Sequence, residues 1–145
     1  MRQVMKLEID SIPSNESFAR VVVAAFLTRL NPTMEEVADI KTAVSEAVTN
    51  AIIHGYQNEV HKIEIEAWVE KDLFTVSVKD FGVGIEDIKK AKEAHYTTRP
   101  DLERAGMGLT IIETLSDDFS LKSVPGMGCK LVIKKNYKSL KVQSE

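Results

Sequence analysis

Glu46, Asn50 and His54 recur at four-residue spacing within the run Glu46-Ala47-Val48-Thr49-Asn50-Ala51-Ile52-Ile53-His54-Gly55. On a helix, at roughly 100° per residue, the three spread over only about 80° of one face. Val37, Ile40, Val44, Val48 and Ala51 centre nearly opposite, so the segment predicts one face for a core and a separate polar stripe. Most polar stripes are simply solvated. Here the small or apolar neighbours Ala43, Ala47 and Ile53 predict a partly sheltered stripe, and an asparagine in mid-helix needs a contact to offset its poor propensity. A metal-bound phosphate would supply one. Magnesium takes oxygen ligands and keeps several waters, so one amide oxygen plus phosphate oxygens is a sensible set. A carboxylate one turn away can accept the proton of an attacking hydroxyl or water. Phosphoryl transfer asks a protein mainly to position groups and neutralise charge, so a constellation this short can suffice.

The glycines point the same way. Of seven, six form Gly-x-Gly pairs: Gly82-Val83-Gly84, Gly106-Met107-Gly108 and Gly126-Met127-Gly128. Glycine costs backbone entropy and gathers where the chain turns left-handed or must approach something closely. Any one pair reads as a tight turn, but three in one small domain favour a ligand. Asp80, just ahead of the first pair, is an acceptor suited to an exocyclic amine such as adenine's. The amides of Gly106 to Gly108, at a predicted helix start, suit phosphates. Between them, Thr97, Thr98, Arg99 and Arg104 are candidate phosphate contacts on a predicted lid.

The elements that must position these groups follow from periodicity. Met5, Leu7 and Ile9 alternate as a strand, and Pro13-Ser14-Asn15 offers a cap to a helix carrying Phe18, Val21, Val22, Ala25 and Phe26 to about Leu30. Asn31-Pro32 breaks it. Thr33 and Glu36 form a capping box for the long helix, which His54 and Gly55 are expected to end. Ile63 to Val69 and Phe74 to Val78 alternate around Glu70-Lys71-Asp72 as a hairpin, with Trp68 read as a core or rim residue. Residues 86–94 fit a short charged helix and 95–105 a loop. Leu109, Ile112 and Leu115 mark another helix, and Phe119 to Val124 and Cys129 to Ile133 a last hairpin. The order predicts an α+β fold, a two-layer sandwich with helices on one face of a mixed, mostly antiparallel sheet. Residues 1–135 would be a single domain and 136–145 a polar tail.

Composition removes several classes. The chain has 145 residues, 43% hydrophobic and 28% charged, which is globular. A net charge of −3 is the wrong sign for a protein living on nucleic-acid phosphates. One cysteine and three histidines exclude a disulfide framework and disfavour a zinc site. No apolar run is long enough for a signal peptide or a membrane span, so a cytoplasmic location is expected. The P-loop and dinucleotide fingerprints are absent. Asp80-Phe81-Gly82 copies a magnesium-binding triplet of eukaryotic-type protein kinases, but their His-Arg-Asp loop is missing and the match is read as coincidence.

Glu46 to Gly55 resembles the N box of the GHKL, or Bergerat-fold, ATPases, Asp80-Phe81-Gly82-Val83-Gly84 their first glycine box, and Gly106-Met107-Gly108-Leu109 the second. The runs Asn15 to Arg20 and Thr97 to Arg104, with the overall length, look like the anti-sigma-factor serine kinases of spore-forming bacteria. The resemblance covers essentially residues 1–135. It implies a histidine-kinase-type ATPase fold that binds ATP with Mg²⁺, with Glu46 as catalytic base, Asn50 as metal ligand and Asp80 as the acid reading adenine. Gly82, Gly84, Gly106, Met107, Gly108 and Leu109 would shape the nucleotide pocket, with Thr97, Thr98 and Arg104 on the phosphates. It further implies a homodimer that inhibits a sporulation sigma factor of the F type and phosphorylates an anti-anti-sigma protein on serine, without direct contact to nucleic acid or membrane. Arg20 becomes a candidate partner contact. The family's third glycine motif often ends in a hydroxyl residue; here Cys129 follows Gly128, and as a poor donor it is assigned no nucleotide contact. Two alternatives stay open: the detached ATP-binding half of a histidine kinase, and a nucleotide-gated binding module without kinase activity.

Overall fold

Period-two alternation builds the sheet. The computed structural model describes residues 2–84 and 108–137, and within them the strands are β1 (Arg2–Asp10), β2 (Lys62–Glu70), β3 (Leu73–Asp80), β4 (Asp118–Val124) and β5 (Gly128–Asn136). They lie in the order β1-β2-β3-β5-β4, and each neighbouring pair is antiparallel. The mixed component expected from sequence is thus missing among the described strands. The reason is the final hairpin: β4 takes the sheet edge, and the turn at Pro125-Gly126 folds β5 back between β4 and β3.

One face of the sheet is apolar. Ile63, Ile65 and Ala67 of β2, Phe74, Val76 and Val78 of β3, and Leu131 and Ile133 of β5 are buried there in a single core with helix residues. Helix α1 (Ser14–Leu27) and helix α2 (Met34–Asn50) supply most of that layer. A further helical stretch, α3 (residues 108–114), adds Leu109 and Ile112. The strand β5 runs to Asn136, and the following Tyr137 is fully buried, its amide donating to the Asp72 carbonyl at 3.0 Å. No helix among the described residues is long and apolar enough to cross a membrane.

Helix α2 starts as its sequence dictates. The Thr33 hydroxyl accepts from the Glu36 amide at 3.1 Å, and the Glu36 carboxylate accepts from the Thr33 amide at 2.7 Å, so two orphan donors are satisfied reciprocally. Ile40, Val44 and Val48 are buried on the core side, with Ala43 and Ala47 beside them. The α-helical hydrogen bonding stops at Asn50. Ala51–Gly55 forms a wider π turn, closed by the Tyr56 amide donating to the Ala51 carbonyl at 2.9 Å. The stripe therefore holds for Glu46 and Asn50, while His54 sits on the wider turn beyond them.

Helix α1 corrects two expectations. Its buried residues are Ala19, Val23, Ala24, Phe26 and Leu27, whereas Phe18 and Val21 are 51% and 55% exposed. The helix is apolar nearly all round, so periodicity does not fix its phase; Ala19 and Ala24, small enough for close packing, turn inward while Ala25 faces out. Its start carries no side-chain cap: Pro13 occupies that position, and the Asn15 side-chain Nδ2 instead donates to the Asp10 carbonyl at 2.9 Å, tying the helix to the end of β1.

Candidate active site

Asp80 ends the column Phe74, Val76, Val78 on the helix side of β3, a carboxylate where alternation calls for an apolar residue. It is 6% exposed. Burial pushes its pKa above the ordinary 3.8, and the backbone amides of Gly82 and Cys129 offset this only in part. The Gly82 amide donates to Oδ1 at 3.0 Å.

The room for this carboxyl comes from Gly55. A Cβ there would lie 2.7–2.8 Å from the three carboxyl atoms of Asp80. Gly55 is not among the residues with positive φ, so its value is close approach and not the left-handed stop read from sequence. The first glycine pair then wraps onto the same turn. A Cβ on Gly82 would fall 1.8 Å from the Gly55 carbonyl oxygen, and that oxygen accepts from the Val83 amide at 2.8 Å. The Tyr56 hydroxyl locks the neighbourhood by accepting from the Phe81 amide at 2.7 Å and donating to the Lys62 carbonyl.

A pocket opens over Asp80. Its walls are the apolar side chains of Ala47, Ala51, Val78, Leu109 and Leu131, and Asn50 stands on its rim. Cys129, opposite Asp80 in the β3–β5 register, also lines it, together with Gly84. Burial, and then the Asp80 charge, push the Cys129 thiol up to about 12, which keeps it protonated at neutral pH.

Glu46 and Asn50 meet the start of α3. A Cβ added to Gly108 would lie 3.0 Å from Glu46 Oε2 and 3.4–3.5 Å from the Asn50 amide atoms, so both polar groups crowd one stretch of bare backbone. Asn50 Nδ2 is buried without a hydrogen-bond partner among the described residues, a state that a native site resolves with a ligand or water. These features fit an adenine nucleotide: an acceptor at the closed end, apolar walls for a flat ring, and an uncommitted amide beside a carboxylate and a glycine amide where phosphates and a metal would lie.

Of the residues singled out from sequence, Glu46, Asn50, Asp80, Gly82, Gly84, Gly108 and Leu109 are brought together here. Thr97, Thr98, Arg99, Arg104, Gly106 and Met107 lie outside the described residues. Arg20 stands apart on α1, 3.9 Å from Glu16 in a half-buried i,i+4 pair. Sequence reasoning missed Gly55, Tyr56 and Gly128 as parts of the site. Gly128 packs on the Asp80 backbone, where an added Cβ would sit 2.2 Å from its carbonyl oxygen. The hairpin register that places Cys129 opposite Asp80 was the available signal.

The histidine kinase-like ATPase domain family matches residues 11–135, and the chain belongs to it. It is a kinase-like ATPase domain, built to bind ATP. Among curated relatives it is 53% identical over 139 residues to the anti-sigma F factor of Clostridium novyi, covering 94% of this chain and 96% of that one. It is 50% identical over 136 residues to the anti-sigma F factor of Oceanobacillus iheyensis, covering 93% of each. The fold recurs in the blue-light activated histidine kinase of Erythrobacter litoralis EL346 with a TM-score of 0.59 and 18% identity, over 87% of this chain and 43% of that kinase.

Proposed function

We propose that this protein is an ATP-dependent anti-sigma factor that holds a sigma factor of the F type inactive and phosphorylates an anti-anti-sigma protein on serine. The shared name of its close relatives supports the first activity. One observation carries the second: Glu46 and Asn50, a turn apart on α2, both abut the Gly108 backbone, and Asn50 also lines the pocket that contains Asp80. A module using nucleotide only as a lock would need no carboxylate at the phosphate end.

In this reading Asp80 accepts the exocyclic amine of adenine while Ala47, Ala51, Val78 and Leu131 hold the ring. Asn50 contributes its amide oxygen to Mg²⁺, which would neutralise phosphate charge when bound. Glu46 takes the proton of the attacking serine hydroxyl. The Gly108 amide, with Gly106, Met107, Thr97, Thr98 and Arg104, serves the phosphates, and Leu109 backs the pocket. The chain acts as one domain that includes Asn136 of β5 and the buried Tyr137, two residues beyond the boundary expected at 135, in a cytoplasmic homodimer, and Arg20 contacts a partner. Incubation with labelled ATP, Mg²⁺ and an anti-anti-sigma protein tests it. Label on the partner's serine is expected; label on histidine would favour a histidine-kinase half, and binding without transfer a nucleotide lock.

Two variants probe the pocket. Asn50→Ala is expected to lose the Mg²⁺-dependent part of its nucleotide affinity; equal affinities with and without EDTA in parent and variant would remove Asn50 from the metal. For Asp80 the sign is set by burial. Its folded pKa is raised, so acidification favours the folded state as the proton goes on, yet removes the acceptor that adenine needs. ADP affinity measured by calorimetry is therefore expected to fall on acidification, beginning above the ordinary 3.8. Asp80→Asn should bind weakly at every pH, and a variant matching the parent would refute the contact.

A further inference from the structure

The face of the sheet turned away from the helices has its own pattern. The strand registers set Glu8, Glu64, Lys79, Lys130 and Lys122 directly beside one another, one from each strand in the order β1-β2-β3-β5-β4. The row is acidic on one half and carries three adjacent lysines on the other. Like charges directly opposite one another weaken a sheet. No ion pair among the described residues engages Lys79, Lys122, Lys130 or Lys134; Lys79 leans over the Phe81 ring at 4.8 Å. Alongside the row runs a groove of about 290 Å³ lined by Trp68, Ser120, Lys122, Lys130, Val132 and Lys134. Asp118, opposite Lys134 in the register, also lines it and is the single acid there. In a chain of net charge −3, this concentration of unanswered positive charge is local to β4 and β5.

We propose that this half of the face docks an acidic segment of a protein partner, its carboxylates meeting Lys122, Lys130 and Lys134 across the groove, with the Trp68 ring as an apolar wall. Lys130 and Lys134, four residues apart on β5, stand roughly 13 Å apart, farther than one phosphate group reaches. A nucleic-acid strand would run from the lysines onto Glu64, Glu66 and Glu8 and be repelled. The nucleotide pocket opens on the opposite face, where Asp80 and Leu131 point, so the two sites are separately testable and this surface stands without the kinase assignment.

The test is fluorescence anisotropy of a labelled hexaglutamate peptide against the full chain at low ionic strength. Saturable binding that weakens with salt is expected, and K122E/K130E should weaken it by at least about tenfold with ADP affinity unchanged. If charge reversal disturbs ADP binding, K122Q/K130Q is used instead, with the same loss of peptide affinity expected. No peptide binding, or variants binding as the parent does, overturns the proposal. Full displacement by low-millimolar inorganic phosphate would define a single-anion site, and tighter binding of a short single-stranded oligonucleotide a nucleic-acid face; either outcome also overturns it.

Discussion

Glu46→Gln is expected to bind ATP almost as the parent does and to transfer phosphate about 10²–10⁴-fold more slowly, the usual scale for a lost general base. Glutamine preserves the shape that packs against Gly108, 3.0 Å from Oε2 to an added Cβ, and keeps a carbonyl oxygen that can accept a hydrogen bond. It cannot take up a proton at neutral pH. Binding by calorimetry and transfer from labelled ATP therefore separate positioning from chemistry. Turnover at the parent's rate would take the base role from Glu46; a collapse of binding would show that its charge holds the nucleotide instead.

Gly82→Ala carries the largest expected structural effect. The new methyl would sit 1.8 Å from the Gly55 carbonyl oxygen and 2.3 Å from its carbon. Both are backbone atoms, so no rotamer relieves the overlap; either the π turn or the end of β3 must move. Asp80 sits on one and rests against the other. Stability is expected to drop by more than about 2 kcal/mol, and nucleotide affinity to fall with it, read from urea midpoints and calorimetry. Gly126→Ala is the control: its methyl meets nothing within 4 Å, although φ is +81°, so only about 1–2 kcal/mol of backbone strain is expected. Equal effects at both positions would mean that close approach to Gly55 is not what requires glycine.

Where local chemistry decides, the chain was readable. The Thr33 and Glu36 cap, the Lys71-Asp72 hairpin and the alternation of β2 and β3 all depend on neighbours in sequence, and Asp80 stood out by its place just ahead of a Gly-x-Gly pair. The failures share a cause. The phase of α1 is set by what α2 and the sheet present to it, and a helix apolar on every side gives periodicity nothing to distinguish. Gly55 does close the helical stretch, but its second task was hidden because its partner, the Asp80 carboxyl, is 25 residues away. Cys129 is the strand residue expected, but its place on the pocket wall depends on the β3–β5 register, which the sequence does not display.

The π turn at Ala51–Gly55 sets the angular relation between two halves of the site. Upstream, Glu46 and Asn50 keep ordinary helical spacing toward Gly108; downstream, Gly55 must present its bare Cα to Asp80 and its carbonyl to Val83. One residue lost or gained between Asn50 and Gly55 would rotate that presentation by roughly 100° and put the two halves of the site out of phase. Length here is as much a part of the site as composition: substitutions at Ile52 or Ile53 alter packing, whereas a single-codon deletion would disengage Asp80 from Glu46 and Asn50, the groups proposed to read the base and to serve the phosphates.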